Sequence, residues 1–164
     1  MVTVQPIAIV RSSRVEVTDD YWGDVIATIE LNHDMPLESL NGLEEFSHAE
    51  ILYLFDRVSL AAIVVDARHP RNNPEWPSVG IFAQRAKARP NRIGSTIVRI
   101  HGRDGRSLRV QGLDAVDRTP VIDIKPVMQE FLPREPVRQP QWSREVMRNY
   151  WRSEREQQAE RSAE

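Results

Sequence analysis

The 164-residue sequence has no cysteine, and this absence excludes several kinds of chemistry. A disulfide framework, a thiolate nucleophile and a cysteine-based zinc site are all ruled out. The simplest setting for such a chain is intracellular, so we expect a cytoplasmic protein. No metal is expected either, because the four histidines are scattered without the spacing of metal ligands. They are His33, His48, His69 and His101.

The sequence also lacks glycines spaced two residues apart and long apolar runs. No two of the seven glycines stand two residues apart, which excludes the Gly-x-Gly turn of a Rossmann domain and a Walker-type phosphate loop. The longest apolar run, residues 60–65, is far too short to span a membrane. The N-terminus shows no charged leader followed by an apolar segment. We therefore expect a protein without membrane association, in which any cofactor pocket is built from strands and loops.

Charge is unevenly distributed along the chain. The net charge is −2, yet residues 85–109 contain eight Lys or Arg against the single acid Asp104. Four of these cations lie in residues 80–94, named here the basic loop, which contains no acid. Pro90 biases Arg89 toward an extended backbone and Asn91 favours a turn, so this loop should have a defined shape. It is either a solvated connection between strands or a binding site.

Strand signals dominate the first three quarters of the chain. In residues 24–31, Val25, Ala27, Ile29 and Leu31 share one face. The Asp-Gly step at residues 104–105 lies between alternating runs and predicts a hairpin. A short helical turn is expected at 36–42 and a proline-rich crossing loop at 66–77. Many short strands without long helices predict an all-β fold, a small β-barrel or a sandwich. The predicted strands are 6–10, 24–31, 51–55, 60–65, 93–100, 107–113 and 119–124.

The C-terminal quarter has a different composition. Four prolines between residues 126 and 140 predict a stiff linker, after which Ser143 is placed to cap a helix. The helix has apolar anchors from Val146 to Trp151 and a solvated polar end from residue 153. It either docks on its own barrel or binds a partner. We expect three segments: a barrel at 1–127, a linker at 128–142, and a helix with a polar tail at 143–164.

Three segments in a fixed order carry a family resemblance. They are residues 40–48 running into 51–55, the basic loop, and residues 112–126 with the motif Leu-Asp-Ala-Val-Asp-Arg-Thr-Pro. Together they resemble the TsaA-like family, the tRNA adenosine methyltransferases also called TrmO, over roughly residues 5–127. The resemblance implies a small β-barrel that binds S-adenosylmethionine and acts as a homodimer. It also implies methylation of the exocyclic amine of threonylcarbamoyl-adenosine next to the tRNA anticodon.

The basic loop departs from the family pattern at five positions. The family loop usually reads Ala-Thr-Arg-Ser-Pro-His-Arg-Pro-Asn-Pro-Ile-Gly. Ala88 removes a titratable histidine, whereas Lys87 and Arg92 add two charges. Longer family members also carry a further C-terminal domain, where this sequence has a polar helix. These departures favour the alternative that the methyl acceptor is a small molecule or another RNA. The replaced positions are Gln84, Ala86, Lys87, Ala88 and Arg92, and the retained ones are Arg85, Arg89, Pro90, Asn91, Ile93 and Gly94.

Methyl transfer from a sulfonium needs positioning of donor and acceptor more than acid or base catalysis, so few catalytic side chains are expected. The amine must still lose a proton, and Asp114, Asp117 and Asp123 are candidate acceptors, with Asp117 preferred. Asp114 and Asp117 can equally be ordinary turn acids. Arg85 or Arg89 can form an ion pair with the carboxylate of the methionine moiety.

The added charges of the basic loop predict a contact with the substrate: Lys87 and Arg92 are expected to bind an RNA backbone, with solvated cations as the alternative. The resemblance implies a wider set of cofactor contacts. Trp22 is expected at the cofactor, with ordinary packing as the alternative. A different class of function also stays open, a regulatory module that binds S-adenosylmethionine without transferring its methyl group. The expected cofactor-binding residues are Trp22, Phe55, Asp56, Arg85, Arg89, Asn91, Ser95, Asp114, Ala115, Val116 and Asp117.

Overall fold

The computed structural model of the chain describes residues 2–163 and contains a closed antiparallel β-barrel. Met1 and Glu164, the ends of the predicted barrel and tail, lie outside the described residues. The barrel strands follow the order β1-β2-β7-β6-β3-β8, and β4 and β5 form a separate two-stranded sheet. The predicted all-β barrel is confirmed. The strands are β1 Ala8–Ser12, β2 Ile26–Leu31, β3 His48–Leu54, β4 Ala67–Arg68, β5 Val79–Gly80, β6 Ile93–Asp104, β7 Ser107–Gln111 and β8 Pro120–Pro126.

Alternating side chains fill the barrel. In β2, Ala27, Ile29 and Leu31 point inward and are buried, as the sequence pattern predicts. Every barrel strand contributes to one continuous core, which closes the sheet without an exposed edge. The largest fully buried side chain is Tyr53 in β3, and its hydroxyl group therefore requires a polar partner inside the fold.

The predicted hairpin joins β6 to β7. Asp104 pairs with Ser107, so the turn consists of Gly105 and Arg106 and begins one residue later than the Asp-Gly step. Gly105 has a φ of 54°, a conformation that favours glycine. The register shifts between Ile100 and Gly102, which marks a bulge in β6.

The strand predicted at residues 60–65 is wrong. Residues Leu60–Ala62 form a 3-10 turn, and Leu60 and Val65 are each 73% exposed. The segment forms one backbone bond with the basic loop, from the Val64 N–H to the Ala88 carbonyl at 3.0 Å. An apolar run becomes a strand only when a neighbouring strand supplies a ladder of hydrogen bonds. Residues 60–65 lie beside the basic loop, which offers no such ladder.

Helical structure in the C-terminal part is confirmed, but it is divided into two helices. The first, α1 Gln141–Val146, begins two residues before Ser143, so the predicted cap is wrong. Instead, the Ser143 hydroxyl donates to the Pro140 carbonyl at 2.8 Å. The second is α2 Glu154–Ala163. Short 3-10 turns occupy Leu37–Leu40, Leu43–Glu45, Leu60–Ala62, Pro70–Asn72, Ile81–Ala83, Pro90–Arg92 and Gln129–Phe131.

The break between α1 and α2 has a tertiary cause. The carbonyl groups of Asn149 and Tyr150 accept hydrogen bonds from the backbone N–H groups of Tyr21 and Trp22, at 3.1 and 2.8 Å. Because these carbonyl groups bind Tyr21 and Trp22, they are not available to continue α1, and residues 147–152 form turns against the barrel. No helix within residues 2–163 has both the length and the hydropathy needed to cross a membrane.

Candidate functional site

The carboxylate of Asp114 is the centre of a hydrogen-bonded cluster at one end of the barrel. Its Oδ1 accepts a bond from the Tyr53 hydroxyl at 2.7 Å and a second bond from the Thr96 hydroxyl. Its Oδ2 accepts a bond from the Tyr150 hydroxyl. The donors come from β3, from β6 and from the segment after α1. Three separate parts of the chain therefore hold one carboxylate in a fixed orientation.

Both phenols of this cluster are held in their neutral form. Burial is the main cause that raises the pKa of Tyr53 above its ordinary value, and the nearby negative charge of Asp114 adds to it. Burial followed by Asp114 also raises the pKa of Tyr150, against the opposing positive charges of Arg85 and Arg71. Neutral phenols remain hydrogen-bond donors, so both can donate to the Asp114 carboxylate throughout the physiological pH range.

The basic loop holds its shape through its own cations. Arg89 Nη1 donates to the Gln84 carbonyl at 2.8 Å, and Arg92 Nη1 donates to the Val58 carbonyl at 2.8 Å. The Gln84 amide in turn bonds two carbonyl groups of β4 and β5. Asn91 has a φ of 63° in the turn that follows Pro90. The predicted defined shape of this loop is confirmed.

Arg85 joins the basic loop to the Asp114 cluster. Its guanidinium donates to the carbonyl of Ser95, the residue next to Thr96 in β6. Arg85 is exposed, whereas Arg89 is half-buried and bonded within the loop. Asp114 and Arg85 therefore bind two neighbouring residues near the start of β6, Thr96 and Ser95.

The segment after α1 forms one wall of this region. Besides the Tyr150 bond to Asp114, Trp76 Nε1 donates to the Glu145 carboxylate at 2.8 Å. The backbone of Trp151 lies directly over Gly23, so close that a Cβ at Gly23 would meet its carbonyl carbon at 2.8 Å. Residues 141–152, named here the C-terminal wall, thus dock on the barrel as one of the two sequence interpretations expects.

Asp117, the expected proton acceptor, is fixed by backbone contacts. Its Oδ1 accepts a bond from the Ser12 N–H at 3.0 Å, and its own N–H donates to the Arg14 carbonyl at 2.7 Å. Arg57 Nη2 donates to its carbonyl at 2.9 Å. These are the contacts of a residue that shapes a turn, and the catalytic role of Asp117 stays a prediction.

The two aromatic residues of the predicted set have packing contacts. Trp22 is 3% exposed and has the guanidinium of Arg14 at 4.7 Å from its ring centroid. Phe55 is half-buried and packs edge-on against Tyr53, with ring centroids 5.4 Å apart. Their predicted cofactor contacts stay predictions.

The other predicted residues divide by exposure. Asp56, Asn91 and Lys87 are exposed, Val116 is half-buried and Ala115 is buried. The hydroxyl of Ser95, also half-buried, donates to the Glu50 carboxylate at 2.6 Å. The candidate proton acceptor Asp123 forms an ion pair with Lys125 in β8.

Three residues of the Asp114 cluster are absent from the predicted site. Thr96 is 5% exposed in an inward position of β6, and Tyr53 is 1% exposed in β3. Buried polar groups need partners, and this is the signal that points to both residues in the sequence. Tyr150 follows α1 and carries no comparable signal, because only the docking of the C-terminal wall brings it to Asp114.

The family model of the tRNA-methyltransferase O N-terminal domain matches residues 18–131. A probable S-adenosyl-L-methionine-binding protein of Pyrococcus abyssi is 38% identical over 143 residues, which cover 84% of this chain and 74% of the relative. A tRNA (adenine(37)-N6)-methyltransferase of Mus musculus is 38% identical over 96 residues. A crystal structure of TrmO from Pseudomonas aeruginosa superposes with a TM-score of 0.69 at 31% identity and covers 87% of this chain.

The matched relatives differ in length. The alignment spans 22% of the mouse protein and 62% of the chain in the Pseudomonas structure. The family match nevertheless extends over most of the barrel, from the loop before β2 to the 3-10 turn after β8, and includes the basic loop and Asp114. With this barrel and this matched region, the chain belongs to the family of the tRNA-methyltransferase O N-terminal domain.

Proposed function

We propose that this protein is an S-adenosylmethionine-dependent methyltransferase that acts on a tRNA adenosine next to the anticodon. The observation that supports this proposal best is that the Asp114 carboxylate and the exposed Arg85 guanidinium bind two neighbouring residues near the start of β6, Thr96 and Ser95. A methionine moiety carries an ammonium and a carboxylate group, and this pair offers a partner to each. The names of the relatives are consistent with the proposal.

The Asp114 cluster fits one end of this cofactor. A carboxylate has about four lone-pair directions, and three of those of Asp114 are occupied by hydroxyl groups. One direction is left for an ammonium group. When bound, the cofactor supplies an electrophilic methyl group on a sulfonium. The chain therefore has to position an amine in line with this methyl group and to keep water out.

The acceptor amine must also lose a proton. Asp117 is the proposed acceptor, because only its Oδ1 is engaged by the backbone in the described structure, and its half-buried carboxylate follows Asp114 in the same loop. The proposed methyl acceptor is the exocyclic amine of threonylcarbamoyl-adenosine, as the family resemblance implies.

We also propose that the protein acts as a homodimer. Leu60, Val65 and Phe82 are 73%, 73% and 75% exposed, and backbone bonds hold their segments side by side. An exposed apolar surface of this kind favours self-association. Equilibrium sedimentation is expected to show a dimer at micromolar concentration, and a monomer there would contradict this part of the proposal.

Turnover tests the proposed function. The protein would be incubated with methyl-labelled S-adenosylmethionine and total tRNA from cells that lack it, followed by nucleoside analysis. We expect label in the threonylcarbamoyl-adenosine next to the anticodon. Label in another nucleoside or in a small molecule would identify a different substrate. Cofactor binding without methyl transfer would identify a regulatory module.

Calorimetry tests the cofactor site separately. Arg85→Ala is expected to weaken S-adenosylmethionine binding by about tenfold or more, because it removes a charged hydrogen-bond donor from the methionine carboxylate. The matched control is Lys87→Ala, an exposed cation two residues away on the same loop, which should leave cofactor affinity unchanged. Equal losses in both variants would argue against a specific role of Arg85.

A further inference from the structure

The eight cations between residues 85 and 109 divide into two groups in the structure. Five donate to oxygen atoms of the chain itself: Arg85, Arg89, Arg92, Arg103 and Arg106. The side chains of Lys87, Arg99 and Arg109 are exposed and have no hydrogen bond or ion pair within residues 2–163. The sequence shows one basic stretch, whereas the structure leaves three of its cations free for a partner.

Two of these free cations are neighbours on the barrel wall. Arg99 in β6 lies opposite Gln111 in β7, and Arg109 in β7 lies opposite Gly102 in β6. Both are exposed and point outward on adjacent strands, on either side of the bulge at residues 100–102. We name the surface formed by Arg99, Arg109 and Gln111 the outer basic patch.

The acids nearest this patch form no ion pair with Arg99 or Arg109 within residues 2–163. Glu30 in β2 forms an ion pair with Arg11 at 2.8 Å. Glu50 in β3 accepts a hydrogen bond from the Ser95 hydroxyl at 2.6 Å. Like charges close together on a sheet destabilise it, and neither Glu50 nor the exposed Asp104 of β6 forms an ion pair with Arg99 or Arg109 within the described residues. An external anion is the natural partner of two such guanidinium groups.

We propose that the outer basic patch binds the phosphate backbone of the tRNA substrate, away from the reacting base. This inference rests on the proposed function. Guanidinium groups bind phosphate with two parallel hydrogen bonds, and a rigid barrel wall presents both without further ordering of the backbone. Arg99 lies five residues along β6 from the end of the basic loop, a distance of about 17 Å. Contacts at both places would orient a folded RNA across the side of the barrel.

The test removes both charges with Arg99→Gln and Arg109→Gln in one variant. Binding of total tRNA is measured over a series of salt concentrations, together with steady-state methylation. We expect the slope of log affinity against log salt to become shallower by about 1.5, because two phosphate contacts are lost. The KM for tRNA should rise at least tenfold with kcat unchanged, since these contacts are far from the reaction.

A matched control removes two charges elsewhere. Arg134 and Arg138 are exposed in the segment between β8 and α1, and Arg134→Gln with Arg138→Gln changes the net charge equally. This control should keep the wild-type salt slope. The patch variant should also keep the wild-type affinity for S-adenosylmethionine and the wild-type melting temperature, because outward-facing arginines without partners support neither the cofactor site nor the core.

The outcomes separate this inference from the proposed function. A wild-type protein that neither binds nor methylates tRNA overturns both. A wild-type protein that methylates tRNA, together with a patch variant that keeps the wild-type salt slope and KM, overturns only the inference. An equal change of slope in the patch variant and the control also overturns it, because net charge and not this surface would then determine binding.

Discussion

The basic loop and the C-terminal wall lie at the same end of the barrel, but they keep their shapes in different ways. The loop is held by bonds within its own sequence, such as Arg89 to Gln84, and by bonds to the segments that precede it, such as Arg92 to Val58. The wall is held by bonds to residues far away in sequence, such as Tyr150 to Asp114 and Asn149 to Tyr21. Because β6 continues directly from the loop, we expect the loop to move with the barrel core, and we expect the wall to be able to detach while the barrel stays folded.

The strongest test of this comparison is Gly94→Ala, at the point where the basic loop enters β6. A Cβ there would meet the Tyr53 ring at 2.6 Å and the Phe55 ring at 3.0 Å. Because Tyr53 belongs to the core, we expect a loss of about 2–3 kcal/mol in the free energy of unfolding, measured by chemical denaturation.

Gly80→Ala is the matched control on the same loop. Gly80 has a φ of −56° and open space around it, so alanine should be neutral or stabilise the fold by up to about 1 kcal/mol. Equal stability of the Gly94 variant and the wild type would show that the loop can move independently of the core.

A local effect is expected from Gly23→Ala, at the contact between the barrel and the C-terminal wall. A Cβ at Gly23 would overlap the backbone of Trp151 and displace the C-terminal wall. Hydrogen exchange should speed up in residues 141–152 while the amides of β3 and β6 stay protected. Unchanged protection of the wall, or loss of protection throughout the barrel, would contradict the independence of these two parts.

The contrast between loop and wall also explains what could be predicted from the sequence. Alternating apolar residues such as Ala27 and Ile29 predict an inward face, because every second side chain of a strand points to the same side. Pro90 and Asn91 predict a turn through their local backbone preferences. The strand predicted at residues 60–65 fails because apolar composition does not reveal whether a partner strand exists. The Tyr150 contact was missed for the same reason, since it depends on docking between distant segments.

The alkaline limit of stability tests the contact between the wall and Asp114. The pKa values of Tyr53 and Tyr150 are raised in the fold, so their stabilisation is complete below the unfolded value of about 10 and is lost as pH rises above it. Tyr150→Phe removes one of the two groups. We expect the free energy of unfolding of this variant to fall less steeply above pH 10, by about 1.4 kcal/mol per pH unit.

Thr3→Ser is a suitable control for this series, because it changes an exposed hydroxyl residue before β1 and no tyrosine. Its unfolding free energy should follow the wild-type curve at every pH. Parallel curves for the wild type and Tyr150→Phe would mean that the Tyr150 phenol ionises as easily in the folded protein as in the unfolded chain.

The smallest effect on stability is expected from Lys87→Ala. Its comparison with Arg89→Ala sets a free cation of the basic loop against a cation that holds the loop in shape. Lys87 is exposed and its side chain has no partner within residues 2–163, so the melting temperature should stay at the wild-type value. Arg89→Ala loses the bond to Gln84 and should cost about 1 kcal/mol. For tRNA affinity the order should reverse at low salt, because only the lysine charge is available to a phosphate. A Lys87 variant that melts earlier than the Arg89 variant would place the lysine among the residues that hold the loop.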